Sequence, residues 1–63
     1  MANYTLKDFD AVGRLVGRFE FFAHNDYEAE ALVQKLAGAR TRELWCGRRW
    51  VQTWPARALA AAA

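Results

Sequence analysis

Hydrophobic and polar positions alternate loosely along "NYTLKDF", and Tyr4, Thr5 and Phe9 suit a pleated strand. "DAVG" follows as a turn signal. Asp10 can bond its own backbone two residues on, and Gly13 can take positive φ without a Cβ penalty. The pattern resumes in "RLVGRFEFFA". There a strand puts Leu15, Gly17, Phe19 and Phe21 on one face and Val16, Arg18, Glu20 and Phe22 on the other. Gly17 inside that strand predicts a bulge or a close approach by another backbone.

The period changes in "NDYEAEALVQKLAG". Ala29, Leu32, Val33 and Leu36 stand at i, i+3, i+4 and i+7, the spacing of one apolar helix stripe. Asn25 is a good N-cap with Glu28 three residues on, as in a capping box. Asp26, Glu28 and Glu30 place negative charge near the positive end of the helix dipole, and Gly38 is positioned to end the helix at C′. "TRELWCGRRWVQTW" then predicts a second hairpin around Cys46-Gly47, closed by Pro55, which cannot donate to a ladder. Two registers are open. A Cys46-Gly47-Arg48 loop sets Leu44 opposite Trp50 and Trp45 opposite Arg49, while a Cys46-Gly47 loop sets Glu43 opposite Trp50. The first keeps apolar residues together and is preferred, because a one-residue slip flips every side chain. It puts Trp45, Val51 and Thr53 on one face and Leu44, Trp50, Gln52 and Trp54 on the other.

The expected fold is α+β, β-β-α-β-β, an antiparallel sheet with one helix packed on one face. Residues 1–55 form a single domain, and the Ala-rich residues 56–63 are expected to be a disordered tail or a frayed helix.

These stretches carry a resemblance. Asp10, Gly13 and Arg14 end the first hairpin, Asp26, Glu28 and Ala31 open the helix, and Glu43, Leu44, Trp45, Gly47 and Arg49 form the last hairpin. Over roughly residues 4–52 the chain resembles a group of small, uncharacterised, mainly alphaproteobacterial proteins with a Glu-Leu-Trp-x-Gly-x-Arg hairpin. The likeness implies the β-β-α-β-β order and offers no established activity to carry over. Trp50 and Trp54 depart from its pattern, which has aliphatic or polar residues there.

Size and charge narrow the reading. A 63-residue chain buries only roughly 60% of the surface its unfolded form exposes, so association would add stability it otherwise lacks. One Cys excludes an intrachain disulfide framework and a multi-Cys zinc site. With no signal-peptide pattern and no apolar run near the roughly 20 residues that cross a bilayer, a soluble cytoplasmic protein is expected, with no membrane partner. The first 37 residues carry four basic and six acidic side chains, whereas the last 26 carry five Arg and one Glu. The basic character therefore sits in the C-terminal hairpin and its flanks, where nucleic acid or an acidic protein surface could meet it.

Catalytic parts are missing. There is no Ser, and Cys46 and His24, the only Cys/His pair, both fall at turns or element ends. No phosphate-binding glycine loop or metal-ligand spacing is present, so no catalytic residue, metal, cofactor or small-molecule substrate is expected.

The nine aromatics are more informative, because one helix covers one face of a four-stranded sheet. Phe19 and Phe21 are expected to meet the helix stripe, and Phe22 and Val16 to face away from it. Large apolar groups on the second face need a cover. The tail, loops and Arg stems are one candidate, a second copy packed sheet on sheet or edge on edge is another, and a different partner is a third. The functional expectation is a non-catalytic interaction module, a homodimer or a binder of another protein. It would use an aromatic-rich sheet face or edge with Phe22, Trp45, Trp50, Val51 and Trp54. The alternative is a small nucleic-acid-binding protein in which Arg40, Arg42, Arg48 and Arg49 neutralise phosphates beside Trp45 and Trp50. Glu43 and Arg49 are expected as a cross-strand ion pair.

Overall fold

The computed structural model describes residues 1–36 and 40–56. The elements follow in the order β1 (Ala2–Phe9), β2 (Leu15–Ala23), α1 (Asp26–Gln34), β3 (Thr41–Cys46) and β4 (Arg49–Trp54). All neighbouring strands are antiparallel in one sheet of order β2-β1-β3-β4. The predicted α+β architecture is therefore the fold of the chain. The order makes β1 and β3 central and leaves β2 and β4 as edges. Gly38 and residues 57–63 lie outside the described residues, and so do the predicted C′ glycine and nearly all of the Ala-rich tail.

Local chemistry explains the element ends. The Asp10 carboxylate accepts from the backbone N–H of Val12 at 3.0 Å and of Arg14 at 2.9 Å, and Gly13 turns the chain at φ +85°. Asn25, in extended backbone, accepts from the Glu28 N–H at 2.8 Å and caps α1. Glu28 does not return to the cap residue itself. Its carboxylate reaches one residue further back and accepts from the His24 N–H at 3.0 Å. The second hairpin turns on Gly47 at φ +62°, followed by Arg48 at ordinary φ, the sign pattern of a two-residue turn with Gly first.

Cross-strand pairs share a face, so the register sorts the side chains. Tyr4 lies opposite Phe21, Leu6 opposite both Phe19 and Leu44, and Asp8 opposite Arg42 and Gly17. These residues face α1. The core is Tyr4, Leu6, Ala23, Ala29, Val33 and Leu44, with Ala2, Phe21, Cys46, Val51 and Trp54 packed against it. The Tyr4 and Phe21 rings stack at 5.9 Å between centroids and 23° between planes. On the other face stand Asn3, Thr5 and Lys7 of β1, Arg18, Glu20 and Phe22 of β2, and Glu43, Trp45, Trp50 and Thr53 of the last hairpin.

Neither predicted register of that hairpin is the one formed. Cys46 pairs with Arg49 and Trp45 with Trp50, around a Gly47-Arg48 turn. A bulge between Leu44 and Trp45 then shifts the ladder, setting Leu44 opposite Gln52 and Arg42 opposite Trp54. The extra residue restores apolar contact for Val51 and Trp54 on the core side while both Trp45 and Trp50 stay on the open face. A sequence-based register assumed a regular ladder and therefore misplaced Trp50 and Val51. The Gly17 signal corresponds to a bulge beside it: Asp8 pairs with Gly17 but Phe9 pairs with Leu15, which moves Leu15 off the face of Phe19.

Candidate functional site

The first arrangement of chemically active side chains lies where α1 starts. Asp26, the first helical residue, receives the Tyr4 hydroxyl at 2.7 Å and both guanidinium nitrogens of Arg49 at 2.8 and 2.9 Å. Arg49 is therefore paired with the helix start and not with Glu43. Glu43 instead accepts the indole N–H of Trp45 at 3.0 Å. The bidentate Arg49, and after it the Tyr4 hydroxyl, hold the Asp26 carboxyl down at about 2. The same hydrogen bond to Asp26, reinforced by burial, pushes the Tyr4 phenol up to about 12. Asp26 also raises the pKa of Arg49 above the ordinary range.

Three charge-assisted bonds of this kind fasten the helix start to a central strand, β1, and to an edge strand, β4. Cys46 sits near both Tyr4 and Arg49, half-buried against the core and not exposed at a turn tip as its place beside Gly47 predicts. The His24 ring contacts Glu28, with Nδ1 3.0 Å from the carboxylate. His24 and Glu28 thus form a local helix-start pair, and the Glu28 carboxyl is lowered by the His24 backbone N–H and then by its ring. Among the described residues no three His, Cys, Asp or Glu side chains gather as a metal-ligand set.

The second arrangement is apolar. Leu32 and Leu36 extend the helix stripe, but only Ala29 and Val33 of that stripe are buried. Leu32 is 42% exposed and Leu36 53%. Facing them across the sheet is Phe19, 57% exposed, although the period placed it under the helix. The reason is length. The helix ends at Gln34 with Lys35 as its cap, so Leu36 stands beyond the last turn and the stripe does not reach across β2. Leu6, Phe19, Phe21, Leu32, Val33 and Leu36 line an open apolar groove of about 410 Å³ between α1 and β2. It runs along a sheet edge, because β2 has no second neighbour.

The five residues expected to face a partner divide between the two sides of the sheet. Val51 and Trp54 pack against the core under α1. Phe22, Trp45 and Trp50 lie on the open face, where Phe22 stands opposite Asn3 and away from the Trp45–Trp50 pair. The tryptophans are locally satisfied. Lys7 Nζ lies 4.9 Å from the Trp45 ring centroid, and the Trp50 indole N–H donates to the Thr53 hydroxyl at 2.8 Å. Polar Thr5, Lys7, Glu20 and Glu43 interrupt this face, so its aromatics do not form one patch.

The four arginines of the alternative reading divide as well. Arg42 pairs with Asp8 at 3.3 Å between side chains that are largely covered, and it donates to the Leu36 carbonyl at 3.1 Å. Arg49 holds Asp26. Both are on the helix side, opposite to Trp45 and Trp50. Arg40 and Arg48 are exposed.

Sequence reasoning missed two things: the Tyr4–Asp26–Arg49 cluster and the exposure of Phe19, Leu32 and Leu36. The first joins residues 22 and 23 positions apart with no local signal. The second had one, since the acidic start at Asp26 and the nearby Gly38 leave room for only a short helix. Comparison with protein-family models, with curated proteins and with solved structures returns no match.

Proposed function

We propose that the chain is a non-catalytic interaction module that associates with a second copy of itself along the β2 edge and the groove beside it. The observation that carries this reading is the alignment of Phe19, Leu32 and Leu36. Three large apolar side chains, each about half exposed, lie side by side along an unpaired strand edge. Edge strands of this kind are normally blunted or covered, and contiguous apolar patches mark contact surfaces. The chain is small enough for the added burial to matter to its stability. The titratable cluster supports a non-catalytic reading, because the Asp26 oxygens are already held by Tyr4 and Arg49. The separation of Arg42 and Arg49 from the tryptophans weighs against a surface that stacks bases and neutralises phosphates together.

Sedimentation equilibrium of the full chain from about 1 to 100 μM tests the proposal. A monomer–dimer equilibrium within that range is expected. A monomer throughout overturns it. Salt-sensitive binding of single- or double-stranded oligonucleotides by the monomer, lost in the Arg40/Arg48→Ala double variant, would replace it with the nucleic-acid reading.

A further inference from the structure

We infer that the second copy pairs through β2 in one register, antiparallel about a two-fold axis at Phe19. This inference rests on the self-association proposed above and specifies its geometry. β2 runs Leu15–Ala23 with Phe19 at its midpoint, and antiparallel pairing about Phe19 sets Gly17–Phe21 of each copy against the same stretch of the other.

Charge selects this register among its neighbours. With the axis at Phe19, Arg18 of each copy faces Glu20 of the other, twice by symmetry. Moving the axis one residue back sets Arg18 against its own copy. Moving it one residue on sets Glu20 against its own copy. Like charges directly opposite destabilise a strand pair, whereas opposite charges support it. Registers with the axis between residues are excluded on other grounds, because they would turn the apolar face of one copy toward the open face of the other. In the isolated chain Arg18 and Glu20 already meet at 3.2 Å, on the solvent side of the same strand. Pairing turns that single contact into a four-membered charge row across the axis.

The other face of the strand fits as well. Phe21 of one copy lies opposite Gly17 of the other, a large ring against a position without a side chain. A Cβ at Gly17 would have only ordinary contacts with Asp8 and Phe19, so the native chain does not need Gly there for room of its own. Phe19 meets Phe19 on the axis, and the two grooves face each other over the joined strands. An isologous contact of this kind closes on itself. The bulge at Leu15–Val16 ends the regular ladder, which limits the pairing to Gly17–Phe21 and discourages longer edge-to-edge stacking.

The test uses R18E and E20R as separately purified full-length chains. R18E makes the charge row all acidic and E20R makes it all basic. Each alone should weaken its own dimer by about tenfold or more in sedimentation equilibrium, through two like-charge contacts. Mixed in equal amounts they should form a heterodimer with dissociation constant within about threefold of wild type, measured at low salt by fluorescence anisotropy of one labelled chain. The intrachain Arg18–Glu20 contact is broken in both partners, so recovery on mixing reports the contact between copies. If wild type dimerises but both variants dimerise equally well and mixing changes nothing, the register is wrong while self-association stands. If wild type never dimerises, self-association fails first. If deletion of residues 57–63 turns a monomer into a dimer, the chain's own tail occupies the groove in the intact protein and the inference is overturned.

Discussion

Two leucines of the same size separate the core from the proposed contact surface. Leu44 is fully buried, opposite Leu6 on one side and Gln52 on the other. Truncating a buried Leu to Ala costs about 2–5 kcal/mol, the spread reflecting how far the site collapses. A 63-residue domain is stable by only roughly 3–9 kcal/mol. Leu44→Ala should therefore remove about 3 kcal/mol and leave a chain near the edge of folding. Leu36 is 53% exposed. Full burial of a Leu side chain is worth about 1.5–3 kcal/mol, so its truncation should cost the monomer only about 1 kcal/mol. In a two-fold dimer the exposed half of Leu36 is buried in both copies. Leu36→Ala should then cost a further ~2 kcal/mol of association, about 30-fold in dissociation constant. Urea unfolding followed by tryptophan fluorescence, at about 1 and 100 μM protein, distinguishes the two. The Leu44→Ala deficit should be the same at both concentrations, and most of the Leu36→Ala deficit should appear only at the higher one. A loss below about 1 kcal/mol for Leu44→Ala would refute the core. A Leu36→Ala loss independent of concentration would refute the groove as a contact surface.

Two further outcomes follow from the cluster and the turn. The Asp26 carboxyl is held at about 2, below its unfolded value near 4, so its contribution is complete above about pH 4 and is lost as pH falls toward 2. Thermal midpoints measured across that window should fall steeply for the native chain and less steeply for Asp26→Asn. A residual slope should remain from Asp10 and Glu28, whose carboxyls are also lowered by backbone N–H donors; identical slopes would show that Asp26 is not held as described. Gly47→Ala meets no atom within 4 Å, so its cost should be backbone alone, about 1 kcal/mol from the positive φ. Chemical denaturation measures it, and a cost near zero would mean the turn relaxes.

The parts of this fold that the sequence makes legible are those with local causes. Asn25 caps a helix because its side chain reaches an N–H three residues away, and Gly13 and Gly47 sit where φ is positive. Alternation correctly divides Phe19 and Phe21 from Arg18, Glu20 and Phe22. What failed depended on non-local pairing. The Leu44–Trp45 bulge has no Gly or Pro to announce it, and one extra residue was enough to exchange the faces assigned to Trp50 and Val51. Arg49 looked like a partner for Glu43 because both belong to one hairpin, yet a carboxylate 23 residues away took it. Periodicity names the face on which Leu32 and Leu36 lie. It does not say how much of the sheet lies beneath that face, and the proposed contact surface arises from that difference.

The clamp and the groove have a common origin in area. Four strands about 4.8 Å apart present a face roughly 19 Å across, while a helix with its side chains is about 10 Å wide. One helix of nine residues can cover only about half of such a face, so some of the apolar side of the sheet must stay open. By holding Arg49 on β4 together with Tyr4 on β1, Asp26 ties the helix start to the sheet, and Val33 and Trp54 join the core beneath the helix. Open space remains on both sides of the helix: toward β2, where Phe19 meets the ends of Leu32 and Leu36 without filling the space between them, and toward β4, where Arg42, Trp54 and Pro55 stand beside Val33 and Leu36. The cluster fixes the start of the helix whose Leu32 and Leu36 line the β2-side groove. Asp26→Asn, which keeps the shape and removes the charge, should accordingly alter dimer affinity as well as acid stability, although Asp26 itself lies away from the β2 edge.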